Sequence, residues 1–323
     1  GAYALFFKPK PAAAPVVQEK KEEPPKPTTE PSKLTGLEVP IGTNENPIIG
    51  VMIENSPDAR PQAGLKDAGV VFEAVAEGGI TRFLALFLDS RPDYVGPVRS
   101  VRPYYLQWLQ AFDAPISHAG GSNEAKDKIS RERIPDLDHG ANGSYYQRVS
   151  NRYAPHNLYT NMQRLLELSK NKGFAGNGTK SLARKAEAPA ATPTARTINL
   201  SISSPLYNVS YAYDPATNSY LRSMGGSPHT DERSGEQIKP KVVVALAMTK
   251  GIAANGIHTT YGAIGSGTVF IFQDGVVTQG TWTKPSDTEQ FTFADAAGAP
   301  IALNPGQTWF SVVSLVSSVT FAP

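Results

Sequence analysis

The sequence predicts an α+β protein: an N-terminal layered α/β domain with a mixed sheet, followed by a smaller, mostly β C-terminal domain, a barrel or a sandwich. Three observations carry this. In the first half, apolar runs of strand length (IIGVMIEN at 48–55, TRFLALFLDS at 81–90) alternate with helix-spaced stretches. The second half turns to two-residue alternation and turn signals, the strongest being Asp274-Gly275 between apolar runs. With 323 residues, 40% of them hydrophobic and 9% aromatic, there is room for about two ordinary cores.

The elements follow in order. The strand from Ile48 stops at the Pro- and Gly-punctuated SPDARPQAGL, and VVFEAVA makes a strand that ends at Glu77-Gly78-Gly79. TRFLALFLDS is a buried strand, and RPDYVGP turns the chain into VRSVR. Pro103 then opens a helix, YYLQWLQAFD, with Tyr104, Leu106, Trp108, Leu109 and Phe112 available for burial. APISHAGGS is a strand running into a glycine loop, NEAKDKISR a short polar helix, and 134–156 a long loop. A last helix begins near Leu158, capped by Thr160 or Asn161, with Met162, Leu165, Leu166 and Leu168 inward. These elements assign residues 37–175 to the α/β domain and 176–197 to a linker or exposed excursion. In the β-rich domain, 198–323, YNVSYAYDPATNSYLRS reads as a hairpin, KPKVVVALAMT as a buried strand, and Trp282 and Trp309 as core residues.

The formal net charge of +2 gives no whole-molecule attraction to nucleic acid, and a membrane surface is no better supported. The absence of cysteine excludes disulfides, thiolate zinc sites, a thiol nucleophile and a lipobox cysteine. Ala2–Phe7 is a brief apolar run, expected to be the last turn of an export or anchor helix. The Pro-, Lys- and Glu-rich stretch behind it is expected to be a solvated tether, so 1–36 stand as anchor end and tether. The bland alternative is a floppy start to a cytosolic protein.

Several phrases together resemble a known family. ENSPDARPQAGL, VFEAVAEGGITRFLALF, VGPVRSVRPYYLQW, ISHAGGS and APHNLYT resemble the N-terminal domain of the YerB-like lipoproteins. YDPATNSYLRSMGGSPHTDERSGEQI, FQDGVVTQGTW and LNPGQTWFSVV resemble their C-terminal domain. The resemblance spans roughly 48–313 and implies a bacterial, extracytoplasmic, two-part protein of unknown function. It supplies no reaction. The absence of cysteine from this sequence departs from the lipoprotein pattern, and an anchor is expected to be the apolar N-terminal helix.

The candidate site centres on GPVRSVRPYY. If a helix starts at Pro103, Arg102 stands at its cap and Arg99 just before it, adding two cations to an already positive end. A negative partner is then required: Glu73, Glu77 or Asp89 from within, or a phosphate, sulfate or carboxylate from outside. If the segment stays extended, 99 and 102 point to opposite faces and only one serves. Folding of the 91–97 turn brings Arg82 near Arg99 or Arg102, with Glu77 as the acid. Ser117-His118-Ala119-Gly120-Gly121-Ser122 places His118 as a possible acid or base, and Ser122 as a helix cap or anion contact. His156 and Asn157 stand ahead of the last helix. A His118–His156 metal site is not imposed by the spacing, no cofactor is called for, and there is no G-x-S-x-G motif. Pro228-His229-Thr230-Asp231-Glu232-Arg233 reads first as an exposed turn, second as a loop meeting the first domain.

The ligand-binding set is therefore Arg82, Arg99, Arg102, Glu77, His118, Ser122, His156 and Asn157. The expected partner is an anionic cell-wall component or an envelope protein. Two alternatives stand beside this. One is an enzyme on pyrophosphate-linked glycan precursors, by weak analogy of arrangement with the LytR-CpsA-Psr phosphotransferases. The other is a structural scaffold whose arginines are all internally paired.

Overall fold

The structure, a computed structural model, describes residues 1–12, 26–176 and 178–323. Much of the expected tether, 13–25, lies outside the described residues.

The first half holds β1 (Thr29–Pro31), β2 (Glu38–Pro40), β3 (Ile49–Glu54), β4 (Val70–Glu77) and β5 (Ile80–Phe87). It continues through α1 (Pro103–Leu109), β6 (Ile116–Ser117), α2 (Asn123–Glu132), β7 (Gln147–Arg148), β8 (Leu158–Tyr159) and α3 (Met162–Asn171). The second half holds β9 (Thr197–Leu200), β10 (Val209–Asp214), β11 (Ser219–Met224), β12 (Ser227–Pro228), β13 (Val242–Ala247), β14 (Lys250–Ile252) and β15 (Thr259–Tyr261). After these come β16 (Gly265–Gln273), β17 (Val276–Lys284), β18 (Thr292–Asp295), β19 (Thr308–Val313) and β20 (Val319–Ala322).

A nine-stranded mixed sheet runs β18-β17-β16-β13-β19-β4-β5-β3-β6. The two halves of the chain meet inside it, because β19 pairs in parallel with β4, Trp309 opposite Val71 and Phe310 opposite Phe72. The chain is thus α+β with a mostly β C-terminal part, as expected, and one sheet is continuous across both parts. Sequence periodicity cannot show this join, since a parallel pair about 240 residues apart leaves no local signal.

Alternation along β4 explains the two cores. Val70, Phe72 and Ala74 face one side with α1, where Phe72 stacks on Phe310 with ring centroids 4.6 Å apart. Val71 and Val75 face the other, under α3 and the five-stranded sheet β12-β11-β10-β9-β20. Buried on both faces, β4 and β5 read as continuous apolar runs. Trp282 and Trp309 are core residues, their indole N–H groups donating to Ala247 O and to Glu73, each at 3.0 Å. Among the described residues, no helix is long and apolar enough to cross a membrane.

Three expectations are corrected. Residues 29–36 do not continue the tether: β1 pairs with β2, Leu34 is buried, and the Ser32 and Thr35 hydroxyls donate to Asp89. The 178–197 stretch, exposed at most of its positions, is not a free excursion, because Leu182 and Ala195 are buried and Arg184 donates to Leu34 O and Asn304 O. The His229–Arg233 turn is not simply exposed. His229 meets Gln62, Asp231 accepts from Gly64 N, and Glu232 accepts from the Tyr159 hydroxyl, all contacts with the first half.

Candidate functional site

The strands β3, β4, β6, β13 and β19 run the same way, so their carboxyl ends share one pole. Loops at that pole gather the predicted residues, as carboxyl ends of parallel strands commonly do. Arg82 lies on β5 just past the Gly78-Gly79 turn, where both glycines take positive φ (56° and 77°) that other residues rarely adopt. Arg102 is the extended N-cap of α1, with Pro103 at the first helical position.

Glu77 receives both. Arg82 Nη2 donates to Glu77 Oε1 at 3.0 Å, and Arg102 Nη2 donates to Oε2. Arg82 Nη1 also donates to Ser100 O at 2.8 Å, which ties β5 to the segment between the other two arginines. Both side chains are almost wholly buried, 2% and 4% exposed. Arg99 diverges: its Nε stands 3.5 Å from Glu54 Oε1 and its side chain is 29% exposed. Arg99 and Arg102 therefore do not share one acid, because the stretch before Pro103 is extended. With only seven residues in α1, its dipole contributes little beyond the guanidinium charges.

Burial pushes all three arginines below the ordinary value. Glu54 partly offsets this at Arg99, while the charges of Arg82 and Arg148 push further down. Within 4 Å, three guanidinium groups share two carboxylates. The Nε–H groups of Arg82, Arg99 and Arg102, and Glu54 Oε2, are buried with no hydrogen-bond partner among the described residues. Each such orphan costs about 1–3 kcal/mol.

The remaining residues frame this centre. His156 Nδ1 lies 2.8 Å from Glu54 Oε1, which also accepts from the Ser56 hydroxyl at 2.9 Å. Asn157 accepts from Arg148 at 2.8 Å and donates to Val149 O and Arg152 O, so it shapes the loop that carries Arg148. His118 is buried, with Nδ1 on Gly120 O at 2.7 Å and Nε2 on Asp136 at 2.9 Å. Burial works against its charge, but Asp136, Gly120 O and Asp138 outweigh it and raise its pKa. With both ring nitrogens facing acceptors, the protonated ring is favoured. Ser122 is a helix cap, accepting from Ala125 N at 3.2 Å. His118 and His156 meet different carboxylates and are not brought together.

Sequence reading missed Glu54, although an acid closing a strand before SPDARP was a usable signal. It also missed Asp136, Asp138 and Arg148 in the long loop. His258, whose Nε2 lies 3.7 Å from Glu77, comes from the β14–β15 hairpin and had no local signal. A second charged cluster lies deeper: Arg222 donates to both Glu73 oxygens at 2.9 Å, and both side chains are 0% exposed.

Fold and site together define an α+β protein whose two sequence halves close one sheet around an arginine–carboxylate pole. Residues 34–175 match the family described as protein of unknown function (DUF3048), N-terminal domain, and 198–310 match its C-terminal domain; the chain belongs to this family. It is 31% identical over 288 residues to a Bacillus subtilis (strain 168) protein named "Putative lipoprotein YerB", covering 87% of this chain and 85% of that one. The crystal structure of YerB from Bacillus subtilis superposes with a TM-score of 0.82 at 28% identity, covering 90% of this chain and 99% of that one.

Proposed function

We propose that the chain is an extracytoplasmic cell-envelope protein that binds a phosphate- or carboxylate-bearing wall component or partner through Arg82, Arg99 and Arg102. The observation that carries this is the set of three buried Nε–H groups that have no hydrogen-bond partner among the described residues, around two shared carboxylates. An anion arriving beside Arg99, whose side chain is 29% exposed, would supply an acceptor and a negative charge. The Nε–H groups are sealed in this conformation, so entry requires Arg99 to turn from its loose contact with Glu54. The envelope location rests on the relative named as a lipoprotein. A second reading, a structural scaffold, is favoured by the Glu77 contacts, which engage Arg82 and Arg102 internally. A crystal of the protein grown in sulfate separates the two: sulfate within hydrogen-bond distance of Arg99 and Arg102 supports binding, and an arginine pole unchanged and empty supports the scaffold.

A further inference from the structure

The arginine pole is also where exposed apolar side chains collect. The β14–β15 hairpin stands over it, held by Tyr261, whose hydroxyl oxygen accepts from Val75 N at 3.1 Å, and by the approach of His258 to Glu77. Its outer residues Ile252 and Ile257 are 72% and 65% exposed, and Leu315, just beyond the end of β19, is 62% exposed. Between the start of the hairpin and the 314–316 loop lies a cleft of about 530 Å³, lined by Ala247, Met248, Thr249, Lys250, Leu315 and Val316. It sits at the ends of β19 and β13, one and two strand positions from β4 and Glu77. At about 4.8 Å per strand, that is within about 10 Å laterally. Protruding isoleucines beside cations form an arrangement that a soluble polymer leaves unused, whereas an amphiphile satisfies both parts.

We infer that this pole docks on a phosphate-bearing lipid at a bilayer surface, with the phosphate at Arg99 and Arg102 and the apolar chains against Ile252, Ile257 and Leu315. This rests on the anion reading above and narrows it to one source of the anion. It adds a membrane contact to the N-terminal one expected from the sequence. The complementarity is of charge at the arginines and Lys250, and of apolar surface at the hairpin and the cleft.

Vesicle flotation of the full chain in 0.15 M salt tests this, comparing phosphatidylcholine alone with phosphatidylcholine containing one fifth phosphatidic acid. Soluble sn-glycerol 3-phosphate is titrated in parallel. Capture by the acidic vesicles is expected to exceed capture by phosphatidylcholine about tenfold. Ile252→Asp with Ile257→Asp, and separately Leu315→Asp, are expected to lose most of that capture while keeping glycerol 3-phosphate binding; Arg99→Ala is expected to lose both. Binding of glycerol 3-phosphate with no vesicle capture, or capture indifferent to the hairpin and Leu315 variants, overturns the lipid inference and leaves the anion site standing. Failure to bind either probe overturns both. A hairpin-dependent dimer seen by light scattering, without vesicle capture, would make the patch a contact between copies and also overturn it.

Discussion

Arg82 donates to Glu77 at 3.0 Å from a side chain that is 2% exposed, and the same carboxylate serves Arg102. One partly exposed acid thus holds two buried cations, which makes Glu77 the point at which the pole is least robust.

Glu77→Gln should be costly in stability, about 3 kcal/mol or more, because it removes the carboxylate that both buried guanidinium charges share. It should also strengthen anion binding, since the competing internal carboxylate is gone. Urea midpoints with and without added phosphate check both effects: the loss in plain buffer should shrink when phosphate is present.

The deeper pair, Arg222 with Glu73, is saturated. Glu73 accepts from Arg222, Trp309 and Ser311, and Arg222 also reaches Tyr211 and His229. Arg222→Met alone should cost about 3–5 kcal/mol by stranding a buried carboxylate. Adding Glu73→Leu should recover part of that. A double-mutant cycle by urea denaturation gives the coupling, and strict additivity would contradict a pairwise bond.

His229 should make the protein acid-sensitive. Burial first, then the charges of Arg222 and Arg60, hold its pKa well below the usual histidine value. The unfolded chain therefore takes up a proton that the folded chain refuses. Stability is complete above about pH 6.5 and falls below it, by at most about 1.4 kcal/mol per pH unit from this group. Urea midpoints at pH 7.5 and 5.5 should show a smaller acid loss in His229→Gln than in the parent.

His118 should act with the opposite sign. Its raised pKa means that its contribution is fully present below about pH 6.5 and fades as pH climbs through the folded value. Asp136→Asn should therefore destabilise more at pH 5.5 than at pH 8.5. Equal losses at both would show that His118 is neutral in the folded protein.

Much of the fold was legible because its signals are local. Pro103 at the first helical position, the Ser122 and Asn161 caps, and the Asp274-Gly275 hairpin all formed as the residue types dictate. The grouping of Arg82, Arg102 and Glu77 was legible too, since a tight Gly78-Gly79 turn and one loop connect them. What escaped was long-range. The β4–β19 join, the Arg222–Glu73 pair and the approach of His258 depend on topology between segments about 150 to 240 residues apart. The acidic partner of Arg99 escaped because Glu54 reads as the last residue of a buried strand. Its charge matters only once the 91–98 segment returns alongside β3.

On the proposed reading, an external anion completes the arginine pole. Isothermal titration of the protein with inorganic pyrophosphate at low ionic strength, parent against Arg99→Ala, tests it most directly. Saturable, single-site binding is expected in the parent, and at least about tenfold weaker binding in Arg99→Ala, the loss of one charge-assisted contact. No measurable binding in the parent, or equal binding in both proteins, would contradict it.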